Sequence, residues 1–434
     1  MYDLLIKNAQ IVCPDGIISG ELAVQDGVIQ AIGEGLGAAQ KVIDAAGDVV
    51  FPGVIDVHVH LNEPGNAEWE GFTTGTHLLA AGGVTTYFDM PLNANPPTIN
   101  KAALQLKKQL ASEKSRIAPY FWGGLVHDNV AELEAMSADV IGFKAFLSNS
   151  GFTPFAAVQQ ESLLAGMREI ARLGKILALH AESDELTQFL QQQKIAAGLL
   201  TPQDYAESRP IVAEVEAVNR ALYFGELTGC ALHFVHISSA EAVRLIQAAK
   251  KRGQDVSVET CPHYFRFTEE MLERGVLAKC APPLRNEATR RELIERLLAG
   301  DIDIIASDHS PCPPHMKDLT NKHFFEAWGG INGGQFTLQA TLALCDEYNV
   351  PYEQAAKWLS ENPAKRFGLK KRGKLAVGYA ADFTIVTRKP YTVTQENHFA
   401  KHKATIYEGE TFPHTIVSTY CAASCQYEQH MQIV

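Results

Sequence analysis

Positive charge is scarce in this chain: 38 Lys and Arg stand against 50 Asp and Glu, a net charge of −12 over 434 residues. Proteins that neutralise phosphate or dock on anionic lipid present a basic face, so the deficit argues against nucleic-acid and membrane-surface partners. No stretch approaches the roughly 18 consecutive apolar residues of a membrane span. The opening Met1-Tyr2-Asp3-Leu4-Leu5-Ile6-Lys7 has an acid where a secretory leader carries positive charge, and no apolar run follows it. The 8 cysteines lie scattered from Cys13 to Cys425 with no Cys-x-x-Cys pair, which reads as reduced thiols rather than a disulfide framework. These absences point to a cytoplasmic chain. Also missing is a Gly-x-Gly-x-x-Gly turn after an early strand, which removes the main support for a dinucleotide site on a doubly wound open sheet.

What the chain does have is 46% hydrophobic and 20% charged residues, ordinary values for a globular protein with a sizeable core. Both ends read as short strands and turns. Near the start these are Leu4-Leu5-Ile6, Ile11-Val12, Leu22-Ala23-Val24, Val28-Ile29 and Val49-Val50-Phe51. Near the end they are Phe383–Val386, Ala404–Tyr407 and Ile416–Tyr420. Residues 1–51 and 376–434 are therefore expected to form one small, discontinuous, β-sandwich-like domain. Between them, residues 52–375 alternate apolar strands with amphipathic helices. Strands are expected at Gly53–His60, Thr85–Met90, Pro119–Val126, Val140–Leu147, Ile176–His180, Leu232–Ile237, Val256–Cys261 and Ile302–Ser307. Helices are expected at Lys101–Lys114, Ala156–Leu173, Val212–Leu227 and Ala240–Lys251. Such alternation makes a parallel sheet, and eight strands close a (β/α)₈ barrel of the TIM type.

The chemistry gathers at the strand ends. His58 and His60, in Asp56-Val57-His58-Val59-His60, alternate to one face and are spaced to share a metal. His180 and His236 end two later strands, and Asp308 follows Ile304-Ile305-Ala306-Ser307. In a parallel barrel these ends converge on one face, so four imidazoles and a carboxylate meet in a small volume. Nitrogen and oxygen donors of this kind suit Zn, with Mn, Co, Ni or Fe as alternatives. His233 is expected to point off that face. Lys144 sits inside the apolar run Ile141–Phe146, where an unpaired ammonium is costly. On strand physics alone a structural ion pair and a chemically altered lysine both remain open.

These residues resemble the cyclic-amidohydrolase branch of the amidohydrolase superfamily, which includes dihydroorotases, hydantoinases and allantoinases. The resemblance runs from the β-rich start to Gly378-Tyr379-Ala380-Ala381-Asp382-Phe383. It implies that Lys144 carries a CO2-derived carbamate bridging two divalent metal ions. It further implies that His58, His60 and Asp308 hold one ion and that His180 and His236 hold the other. Asp308 would also be the catalytic proton carrier.

Within the branch the motifs are most similar to the allantoinase family. They are His60-Leu61-Asn62-Glu63-Pro64-Gly65, Trp69-Glu70-Gly71, Glu259–Tyr264, Ser307–Pro314 and Ala327–Ile331. Dihydroorotases carry an Arg two places after the His-x-His, gripping a substrate carboxylate, and here that place is Asn62. A small neutral cyclic amide is therefore the expected substrate, with ring opening of allantoin to allantoate as the expected reaction. Asn93 and Ser310 are candidate substrate contacts, with loop capping as the competing role. Hydantoinase, dihydropyrimidinase or dihydroorotase activity is the alternative, and a non-catalytic scaffold is a third reading that the intact ligand set opposes. The resemblance also implies a homotetramer.

Overall fold

The computed structural model describes residues 1–429; the last five, which the sequence reading assigned to the small domain, lie outside the described residues. Its centre is a nearly closed (β/α)₈ barrel. The strands are Val54–Val59, Val84–Asp89, Ala118–Gly124, Gly142–Phe146, Ile176–His180, Ala231–Phe234, Val256–Thr260 and Ile304–Ile305, each paired in parallel with the next. Parallel bridges of His309 to Val59 and to Ile331 draw the last strand towards the first, and His60 N–H donates to His309 O at 2.8 Å.

Helices cover the outside because their apolar faces match the sheet. Lys101–Lys114 and Ala240–Lys251 have the expected bounds; the other two run Gln160–Arg172 and Ile211–Thr228. Asn100 and Ser239 cap two of them, each accepting from the backbone N–H three residues on. Inside the barrel Ile55, Val57, Phe88, Trp122, Ala178, Val235 and Ile304 form one buried cluster. Trp122 anchors it by donating from Nε1 to Val57 O at 3.0 Å.

The two ends of the chain share a separate sheet. Val49–Pro52 pairs with Tyr2–Cys13 on one side and with Phe383–Thr387 on the other, so the termini are joined through the strand that leads into the barrel. Three expectations change in detail. Leu4-Leu5-Ile6 and Ile11-Val12 belong to a single strand, Tyr2–Cys13, which bulges between Ile6 and Ala9 where Asn8 adopts φ 53°. Ala404–Tyr407 is no strand; its Thr405 hydroxyl instead donates to Asn332 O at 2.5 Å, tying a turn to the barrel rim. The eighth barrel strand keeps only two ladder residues, because the chain turns into the left-handed region at Asp308, φ 47°.

Candidate active site

The common strand direction brings His58, His60, His180, His236, Asp308, Asn93 and Ser310 to the wall of one cavity of about 260 Å³ at the C-terminal end of the barrel. Asp308 is the focus: its Oδ1 lies 3.1 Å from His58 Nε2 and 3.3 Å from His60 Nε2. Across the cavity His180 Nδ1 faces His236 Nε2 at 3.0 Å. His58, His236 and Asp308 each offer a ligand atom, all within 4.8 Å of one another. Lys144 lies fully buried beneath this group, its Nζ 5.0 Å over the Phe146 ring and without a hydrogen-bond partner. Four residues in and around the site, Asn62, Asn93, His236 and Asp308, hold positive φ between 39° and 68°, backbone strain of the kind that collects at functional sites.

Buried carboxylates set the imidazole tautomers. His58 Nδ1 meets Glu259 Oε1 at 2.8 Å, which leaves Nε2 facing Asp308. His180 does the reverse: Nε2 meets Glu182 Oε2 at 2.8 Å, leaving Nδ1 for the cavity. Glu182 is held by Arg209, whose Nε and Nη2 reach its two oxygens at 3.1 and 2.6 Å. Glu259 also takes His233 Nε2 at 3.1 Å and the His236 N–H at 3.2 Å, so one carboxylate ties three strands together. This is the structural part His233 plays.

Charge and burial agree with that arrangement. Burial pushes His60 down to about 4, against the pull of Asp308, and also lowers His180 and His236. Burial alone would raise the Asp308 carboxyl, but His58, His60 and His236 around it hold it well below the usual range. Burial lowers the Lys144 amine to about 7, with Glu259 and Asp308 opposing. Neutral His60, His180 and His236 and an ionised Asp308 are protonation states a divalent cation requires of its ligands. The orphaned Lys144 Nζ and His236 Nδ1 are further signs of a group these side chains are built to receive. The donor set therefore fits a metal.

Residues 49–422 match the amidohydrolase family. The chain belongs to that family. It is a hydrolase of a metal-dependent family, and His58, His236 and Asp308 form a cluster with the spacing to hold a metal ion. Among its relatives, the allantoinase of Bacillus velezensis is 50% identical over 430 residues, covering 98% of this chain and 94% of the relative. The allantoinase of Deinococcus radiodurans is 45% identical over 432 residues, covering 98% and 95%. In three dimensions the amidohydrolase resembles the L-hydantoinase (dihydropyrimidinase) of Arthrobacter aurescens, at TM-score 0.95 and 32% identity, covering 100% of this chain and 98% of that one. It also resembles the dihydropyrimidinase of Brevibacillus agri, at TM-score 0.91 and 27% identity, covering 98% and 95%. No helix among the described residues is long and apolar enough to cross a membrane.

Neither Glu182 nor Arg209 stood out in the sequence. Glu182 carried a signal, an acid two places beyond His180 at the end of an apolar strand. Arg209 carried none, since it precedes a helix and reaches the site only through the fold. His309 Nδ1 accepts from Gly334 N–H at 3.3 Å, and neither His263 nitrogen has a partner.

Proposed function

We propose that this amidohydrolase opens the ring of allantoin to give allantoate. The observation that carries the chemistry is the convergence of four imidazoles and Asp308 on one cavity above a buried, unpartnered lysine. Two things support the substrate: relatives named allantoinase at 37 to 50% identity over 96 to 98% of the chain, and an uncharged Asn62 where an acid-binding Arg would stand.

In this reading His58, His60 and Asp308 hold one divalent cation and His180 and His236 the other. Lys144, as a carbamate, would supply the remaining ligand, and Zn is the foremost metal. The carbamate would form when the neutral Lys144 Nζ attacks CO2: an N–C bond is made, one C=O π pair moves onto oxygen, and the amine proton passes to water, leaving an anionic carboxylate where a poor ligand stood. When bound, the cations lower the pKa of a water towards about 7 and polarise the carbonyl. Asp308 takes the proton of the attacking water at its carboxylate and passes it to the leaving ring nitrogen as the C–N bond breaks. The Ser310 hydroxyl, 3.3 Å from Asp308 Oδ1, keeps that carboxylate oriented. In this reading Asn93 Oδ1, buried and unpaired, accepts from a ring N–H.

The test is metal analysis joined to turnover of allantoin, hydantoin, dihydrouracil and dihydroorotate. A hydantoinase reading is favoured by the structural neighbours, and kcat/KM for hydantoin above that for allantoin would replace the first reading with it. The division into 52–375 and the joined ends, a cytoplasmic location and a homotetramer are parts of the same proposal. Exposed Phe189, Val212, Tyr223 and Leu227 on two neighbouring helices support self-association, and light scattering on the purified protein tests it.

A further inference from the structure

An irregular segment, residues 324–330, has almost no ladder of its own, and its residues 325–330 form one wall of the cavity. Two lysines hold it instead. Lys279, only 4% exposed, donates from Nζ to Phe324 O at 2.8 Å, Phe325 O at 3.0 Å and Ala327 O at 2.6 Å. Its own carbonyl accepts from Gly330 N–H at 2.7 Å. Lys317 donates to Gly330 O at 2.9 Å, Val276 O at 3.2 Å and Trp328 O at 3.4 Å. An ammonium has three donors, and in each case three carbonyl oxygens meet them.

Neither lysine has a carboxylate partner among the described residues, so no ion pair offsets the burial of Lys279. Burial lowers both amines, Lys279 to about 7. Carbonyl oxygens and the Tyr205 ring, 4.6 Å beneath Lys279 Nζ, are what favour the charge. A buried cation spent on main-chain oxygens stabilises a backbone path that the backbone does not stabilise itself. The segment is also pinned at its Gly330 end. At Gly330, φ +102°, a Cβ would stand 2.5 Å from Ser310 O, and Ser310 N–H donates to Ile331 O at 3.0 Å. From the other side Trp69 packs edge-on against Trp328 with centroids 4.9 Å apart.

We propose that Lys279 and Lys317 are positioning residues that fix the 324–330 wall and so decide which cyclic amides fit the cavity. The proposal rests on that cavity being the active site. The experiment measures kcat, KM and metal content of the holoenzyme and of Lys279→Met and Lys317→Met, with allantoin and with hydantoin, which lacks the ureido tail. The expected result is an allantoin KM raised about tenfold, the scale of about one hydrogen bond, with kcat and metal content held and hydantoin KM little changed. An unchanged allantoin KM, or a kcat loss equal for both substrates, overturns it. If Lys279→Met fails to fold, Lys317→Met decides on the same readouts, because Lys317 is partly exposed and its loss disturbs less core. A wild-type enzyme that turns over no cyclic amide would instead overturn the functional reading.

Discussion

His180 turns its Nε2 to Glu182 at 2.8 Å and its Nδ1 to the cavity, and Arg209 grips Glu182 from behind. Burial opposes ionisation of Glu182, yet Arg209 and His180 hold its carboxyl down to about 2, so it is anionic across the working range. Such carboxylate–imidazole pairs fix tautomer and ring orientation, and their loss typically weakens metal binding about 10–100-fold. Glu182→Gln should show that weakening in a chelator titration read by metal content. Because the change also strands the Arg209 charge, melting must be followed alongside. Full metal affinity in a folded Glu182→Gln protein would refute this role for the pair.

Lys144→Ala should strip metal and activity together. The wild-type apoenzyme should recover metal faster as bicarbonate is raised, since the proposed carbamate forms only from CO2. Metal per chain and turnover, measured at several bicarbonate concentrations, test both statements. A metal-replete, active Lys144→Ala protein would contradict the proposed ligand set.

These residues were unequally visible in the sequence. His58, His60, His180, His236 and Asp308 stood out because strand periodicity and chain direction are local properties that sum to one face. Lys144 stood out as a charge in an apolar run. Glu259 was legible as part of a motif but not as the carboxylate that meets His58, His233 and the His236 N–H, since that depends on three strands lying side by side. Arg209 and Lys279 were silent, because their partners lie 27 and about 45 to 48 residues away across folded elements. The barrel strands read well because their apolar runs are continuous. Ala404–Tyr407 read as a strand for the same reason and fails because its polar atoms bond to the barrel rim instead.

Asn62 is buried, with both carboxamide atoms unpaired, two residues past His60. Asn62→Arg would introduce the charge that acid-binding relatives carry at this place, into a residue at φ 68° that asparagine tolerates better than arginine. We expect kcat/KM for allantoin to fall by about tenfold or more, equivalent to roughly 1.4 kcal/mol, while turnover of dihydroorotate rises relative to it. Competition between the two substrates gives the ratio directly. An unchanged ratio would remove Asn62 from substrate discrimination.

A buried ion pair steadies the end of the first barrel strand. Lys107 Nζ, fully buried, donates to Asp89 Oδ2 at 2.6 Å and to Met90 O at 2.8 Å. Asp89 Oδ1 in turn accepts from Leu61 N–H at 2.8 Å, one residue past His60. The pair thus links helix Lys101–Lys114 to the backbone beside a proposed ligand. Lys107→Met leaves a buried carboxylate without its counter-charge, and breaking such a pair from one side costs about 3–5 kcal/mol. Adding Asp89→Leu removes the stranded charge but orphans the Leu61 N–H, so the double variant should recover part of that loss rather than all of it. Denaturant unfolding of the two variants and the parent gives both quantities. A Lys107→Met loss below about 1 kcal/mol would mean that solvent or another group reaches Asp89, and that this ion pair is not what holds the strand end.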